Sequence, residues 1–223
     1  YLFQLTPPAL VQEHARQFDQ TVEELMITSV LQPQHRPPPV SCSDSRLSIG
    51  KMILHMPVKH GGLGLKSFRL LSYTAFWSSL ACCVASGDPG LTAHSGALAH
   101  AATSAHGLLS RHLTAHGDFA SKASSFLPHD PLTALRPEFY KQVLSTTTHL
   151  QKALSDVVEA AQLAAVKRAV FNSQGSNPSF RHDWTALFSH GANRSACLFA
   201  RLNYPSNRME SDDFVDLARL VYI

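Results

Sequence analysis

The sequence predicts a mainly α-helical fold, an irregular bundle of several helices with at most a short strand or hairpin near residues 51–65. Apolar residues recur at spacings of three and four over long segments, which is the pattern of helices with one buried face. Clusters of proline and glycine separate several of these segments. The chain has 223 residues, 44% of them apolar, so it can bury a core as one large or two small domains.

The first predicted helix begins at Thr6, which serves as its cap, with Pro7 in the first turn where proline is tolerated. Its apolar positions from Val11 to Ser29 alternate at four and three residues and indicate a narrow packing seam. Four prolines within residues 32–40 end this helix and predict a stiff, extended linker. Residues 47–56 then predict a short helix followed by a short strand.

A central helix is predicted from Ser67, its cap, through Val84, because aromatic residues make it apolar nearly all round. Residues 87–90, Gly-Asp-Pro-Gly, end it. Further helices are predicted over 91–116, 148–171 and 193–202 and from Ser211, with a loop containing a short helical turn over 121–137. The predicted domains are residues 1–86, which contain the basic glycine segment, and residues 87–223, an alanine-rich helical region without an assigned role.

Composition excludes several classes of protein. No apolar run approaches the roughly 18 residues of a membrane span, so no membrane partner is expected. The four cysteines form no CxxC pair and favour a reducing, intracellular compartment; they are Cys42, Cys82, Cys83 and Cys197. The chain starts with Tyr1 in the middle of a pattern, so we expect it to be a fragment.

Residues 57–66, here called the glycine elbow, form the most distinctive segment. Three glycines fall within four residues, at Gly61, Gly62 and Gly64, and predict a sharp structural turn. Leu63 and Leu65 alternate about Gly64 and are compatible with a short edge strand. The segment lacks the spacing of a phosphate loop.

The region around the elbow is basic although the net charge of the chain is only +3. Between residues 31 and 69 there are six cations and one acid, Asp44. The cations are Arg36, Arg46, Lys51, Lys59, Lys66 and Arg69. Such an excess is what contact with phosphate groups requires, and it is equally compatible with a solvated face that keeps the protein soluble. The residues alone leave both interpretations open.

The histidines do not predict a metal site. Four of them recur every six residues, a spacing that turns successive side chains by about 240° on a helix. Only His112 and His116 share a face, and neither a glutamate nor a cysteine stands at a supporting position. We therefore expect polar surface histidines, no cofactor in this chain and no Ser/His/Asp triad.

Three segments carry a resemblance to a known family. They are Pro57-x-x-x-Gly61-Gly62-Leu63-Gly64-Leu65-Lys66-Ser67, the Pro7-Pro8 pair followed by Phe18-Asp19, and residues 196–221 with Met209-Glu210-Ser211-Asp212-Asp213-Phe214. Together they resemble the region after the polymerase palm in reverse transcriptases of non-LTR retrotransposons. The likeness is to the group whose protein continues into a Cys/His knuckle and a restriction-like endonuclease.

The resemblance implies a thumb and linker region that positions the template-primer, RNA or an RNA–DNA hybrid, by contacts to the phosphate backbone. It implies no catalytic residue here, since the palm carboxylates and their divalent metal would precede Tyr1. The palm of the same parent chain would be a partner, and the site of action would be intracellular, in the nucleus. The nucleic-acid-binding residues would be Lys59, His60, Lys66, Arg69, Lys51 and Arg46. The alternative is a helical protein-interaction or scaffold domain, or a decayed retroelement remnant without activity.

Overall fold

The computed structural model describes residues 2–26, 28, 44–57, 60, 62–87 and 95–172, and they are mainly α-helical. Its helices are α1 (Leu2–Leu5), α2 (Pro8–Met26), α3 (Asp44–Leu54), α4 (Phe68–Ser86), α5 (Ser95–Ala115), α6 (Phe119–Ala123), a 3₁₀ helix (Pro131–Leu135), α7 (Pro137–Thr146) and α8 (Leu150–Asn172). The predicted mainly α multi-helix class is confirmed. No strand forms in the described part of the chain, so the short strand after α3 is absent there.

Helices α2, α4, α5 and α8 lie within a few residues of their predicted bounds. Helix α7 was not predicted, although Pro137 stands in its first turn and Glu138 lies near its positive end. The predicted linker at 32–40 and the predicted helices at 193–202 and from Ser211 lie outside the described residues.

The chain divides into two compact units that alternate along the sequence. The first contains residues 1–19 and 67–161, and the second contains residues 20–66 and 162–223. The predicted domain boundary after residue 86 falls between α4 and α5, and both helices contribute to one buried core in the first unit.

Helix α4 is the centre of the first unit, as predicted, and packs against α1, α5 and α7. Trp77 has no exposed surface, and its indole N–H donates to the Phe126 carbonyl oxygen at 3.2 Å. Its ring lies 6.3 Å from that of Tyr140 and 5.8 Å from that of His106. Trp77 and Phe76 are therefore core residues, not surface platforms for bases.

Among the described residues, α4 is the one helix long and apolar enough to cross a membrane by length and composition. Its most apolar window is 61% buried inside the protein. Packing against the other helices of the first unit therefore accounts for its apolar character.

The N-terminus of α4 is capped twice. The Ser67 hydroxyl oxygen accepts the Leu70 N–H at 3.3 Å, so Ser67 is the predicted cap. The carboxylate of Asp19, on α2, accepts the Ser67 hydroxyl at 2.6 Å, the Phe68 N–H at 2.7 Å and the Arg69 N–H at 3.2 Å. Asp19 is only 7% exposed, so these bonds replace its hydration.

An aromatic contact supports the same junction. The Phe68 ring lies 4.5 Å from the Phe18 ring in an edge-to-face arrangement and 5.5 Å from the Phe3 ring. At its other end α4 stops at Gly87, whose φ of 68° lies in the left-handed region that favours glycine. The predicted end of α4 is thus confirmed at Gly87.

We expect Asp19→Ala to lower the free energy of unfolding by about 2 kcal/mol, since it removes a cap and leaves the partly buried Phe68 and Arg69 N–H groups without their acceptor. Urea unfolding followed by circular dichroism measures the change. The matched control is Asp118→Ala, because Asp118 precedes α6 but its exposed side chain makes no capping hydrogen bond. The control should stay within about 0.5 kcal/mol of the wild type. Equal losses in the two variants would contradict the capping role of Asp19.

Candidate nucleic-acid interface

The glycine elbow belongs to the second unit and folds back onto the end of α3. Four backbone hydrogen bonds hold it: His60 N–H and Gly62 N–H to the Pro57 oxygen at 2.9 and 3.2 Å, Gly64 N–H to the Met56 oxygen at 2.8 Å, and Leu65 N–H to the Leu54 oxygen at 3.2 Å. The two bonds to Pro57 lie within the elbow, and the other two link it to the last residue of α3, Leu54, and to Met56 just after it, not to a neighbouring strand. The backbone is therefore held in one conformation although it has no regular secondary structure.

Two glycines of the elbow have separate local reasons to be glycine. A Cβ at Gly62 would lie 2.1 Å from the Met56 carbonyl oxygen, a backbone atom that has little freedom to move. Gly64 has a φ of 71°, which side-chain-bearing residues rarely adopt. Gly62 and Leu63 are buried, whereas Gly64 is exposed, so the elbow has a buried base and an exposed tip. Gly61 lies outside the described residues.

A polar network anchors the start of the elbow. The Glu23 carboxylate lies 3.0 Å from His55 Nε2 and 3.4 Å from Lys51 Nζ, and His55 Nδ1 lies 3.1 Å from the Leu65 carbonyl oxygen. Both ring nitrogens of His55 thus face acceptors. Both hydrogen bonds form together only when the imidazole carries two protons.

The predicted nucleic-acid-binding residues differ from one another in exposure and in the unit to which they belong. Lys66 and Arg69 are exposed, and His60 is partly buried. Lys51 is paired with Glu23, so part of its charge is neutralised within the fold. Lys59 and the side chain of Arg46 lie outside the described residues. Lys66 belongs to the second unit, whereas Arg69 belongs to the first.

Among the described residues, the carboxylates that contact the elbow or the start of α4 are engaged internally. Glu23 contacts Lys51 and His55, and Asp19 accepts three hydrogen bonds at the start of α4. Sequence analysis did not identify either acid as an anchor. Asp19 and the predicted cap Ser67 lie 48 residues apart, so no local sequence signal indicated their pairing.

The histidine pair on α5 shares a face, as its spacing predicts, with ring centroids 5.0 Å apart. The expectation of surface histidines is wrong for His112, because its Nε2 atom is buried and has no hydrogen-bond partner in the described structure. Burial, together with the neighbouring His116 and Arg69, lowers the pKa of His112 to about 4. No group of three metal-ligating side chains occurs among the described residues.

Comparison with protein-family models, with curated proteins and with solved structures gives no match for this chain.

We expect Gly62→Ala to lower the stability of the protein by more than about 1 kcal/mol, because its new methyl group would overlap the Met56 backbone. The matched control is Gly50→Ala in α3, where a Cβ would meet nothing within 4 Å. That helical substitution should raise stability by roughly 0.5–1 kcal/mol. Chemical unfolding of both variants measures the difference, and an equal response would exclude the close approach at Gly62.

We expect stability to fall as the pH decreases from about 6.5 to about 4, because unfolding returns His112 to its ordinary pKa of 6.5 and allows it to bind a proton. The contribution is complete above pH 6.5 and amounts to about 3 kcal/mol at most. His112→Leu should remove this part of the pH dependence, and His100→Leu, at an exposed position of the same helix, should retain it. Urea midpoints from pH 4 to 8 measure the effect. Parallel profiles for His112→Leu and the wild type would refute it.

Proposed function

We propose that this chain is the thumb and linker region of a retrotransposon-type reverse transcriptase, without catalytic residues of its own, and that it holds the template-primer by its phosphate backbone. The observation that carries the proposal is a contact between two segments on which the resemblance depends. Asp19, of the Phe18-Asp19 pair, accepts hydrogen bonds from Ser67, the last residue of the glycine motif, and from the two N–H groups after it.

This contact joins segments that were identified separately along the sequence. Phe18 packs edge-to-face on Phe68 while Asp19 caps the helix that Phe68 begins, so both members of the pair have a physical role. The same arrangement explains a serine directly after the basic residue of the glycine motif, since Ser67 both donates to Asp19 and caps α4.

The charge of the described residues also supports phosphate contact. Lys66 is exposed at the end of the elbow, and Glu23 is already engaged by Lys51 and His55. Trp77 and Phe76 are buried and give no platform for stacking bases. Binding should therefore depend on charge and shape, with little preference for sequence.

One observation favours the alternative of a helical interaction domain. Leu2, Leu5 and Leu10, at the start of the first unit, are 65%, 74% and 70% exposed. Apolar side chains in such numbers at one end of a chain are a feature of protein-binding surfaces. In the proposed function the polymerase palm of the parent chain would cover them. A scaffold domain would use them for another protein and would bind no nucleic acid.

We expect the protein to bind an RNA–DNA hybrid, and Lys59→Ala combined with Lys66→Ala to weaken binding. Each lost phosphate contact should reduce the slope of log affinity against log salt by about 1. The measurement is fluorescence anisotropy of a labelled hybrid at several KCl concentrations.

The matched control removes two exposed lysines of the first unit, Lys141→Ala with Lys152→Ala, and thus changes the net charge equally. It should retain the wild-type affinity and slope. Binding that is indifferent to salt, or that both double variants weaken equally, would overturn the proposal. An aromatic-x-Asp-Asp turn encoded upstream and a Cys/His knuckle encoded downstream would support it independently.

A further inference from the structure

The packing of α4 on α5 brings together basic residues that are distant in sequence. The Trp77 and His106 rings lie 5.8 Å apart, so these two residues stand at about the same height along the packed helices. The helices are consecutive, with only eight residues between Ser86 and Ser95, and such neighbours pack antiparallel. Eight residues, or about 12 Å, toward the start of α4 lead to Arg69. Eight residues from His106 toward the end of α5 lead to Thr114. Arg69 therefore stands at about the same height along the helix pair as residues 111–116.

The electrostatics of two side chains agree with this placement. The Tyr73 hydroxyl has a pKa raised by burial and lowered in part by Arg69 and Arg111, so both guanidinium groups lie within Coulombic reach of one phenol. Arg69 also lowers the pKa of His112. We call Arg69 and Arg111 the arginine patch; both belong to the first unit.

Both guanidinium groups of the arginine patch are exposed and lie outside the ion pairs formed among the described residues. Arg111 Nε donates to the Gly107 carbonyl oxygen at 3.2 Å, which holds the side chain along its own helix. Two acids lie near the patch. Asp19 is occupied by its three hydrogen bonds, and Asp118, two residues after His116, is exposed.

We propose that Arg69 and Arg111 together bind phosphate groups of the nucleic-acid backbone. Two like charges held on adjacent helices repel each other, and an anion between them removes that repulsion. The planar guanidinium offers paired N–H donors that match phosphate oxygens. The inference rests on the proposed function and adds a second phosphate contact, in the first unit, to that of the glycine elbow.

The test is anisotropy of a labelled RNA–DNA hybrid across a KCl series, with Arg69→Ala combined with Arg111→Ala. We expect affinity at 0.1 M salt to fall roughly tenfold or more and the salt slope to fall by about 2. Arg69→Gln with Arg111→Gln retains most of the aliphatic stems and should give the same loss if the charge is what binds. Circular dichroism verifies that both variants are folded, and the Lys141/Lys152 double variant is the charge-matched control.

The outcomes separate this inference from the proposed function. Loss in the Lys59/Lys66 variant together with wild-type binding in both arginine variants would overturn the arginine patch and leave the elbow in place. Loss in the arginine variants alone would support the patch and remove the elbow. A wild-type protein that does not bind the hybrid at all would overturn both.

Discussion

The first unit depends on a buried carboxylate at the start of its central helix. Burying a charge is unfavourable unless its lone pairs are satisfied, and the Asp19 carboxylate receives one hydroxyl and two backbone N–H groups. The positive end of the α4 dipole stabilises the same charge. Because α1, α5 and α7 pack on α4, the position at which this helix starts determines which faces its neighbours bury.

In the second unit another acid of α2, Glu23, also stabilises the fold through internal contacts. Glu23 is paired with Lys51 and His55, and His55 reaches on to the Leu65 carbonyl oxygen at the far side of the glycine elbow. In each unit an acid is thus engaged in internal contacts. Lys66 in the second unit and Arg69 in the first remain exposed. The excess of positive charge between residues 31 and 69 is already present in the sequence, and the fold leaves these two of its cations exposed.

Features set by a few neighbouring residues could be predicted from the sequence, and features set by distant residues could not. Ser67 caps α4 and Gly87 ends it because each acts on the turn beside it. The Asp19–Ser67 bond and the proposed pairing of Arg69 with Arg111 each involve residues more than 40 positions apart, so no local pattern reveals them. The strand predicted at Leu63 and Leu65 failed because the elbow bonds to the end of α3, which alternation alone does not show. Burial of His112 likewise depends on α5 packing rather than on its own spacing.

The capping of α4 also constrains how any phosphate could be held. A helix N-terminus is an ordinary anion site because its first N–H groups lack partners. At α4 these donors already serve Asp19 and Ser67, so a phosphate would have to displace a buried carboxylate to reach them. A phosphate bound at this end of the first unit would have to be held by side chains, and the exposed side chain of Arg69 begins at the turn that Asp19 caps. Contact through such side chains would follow the backbone of a duplex without reading its bases.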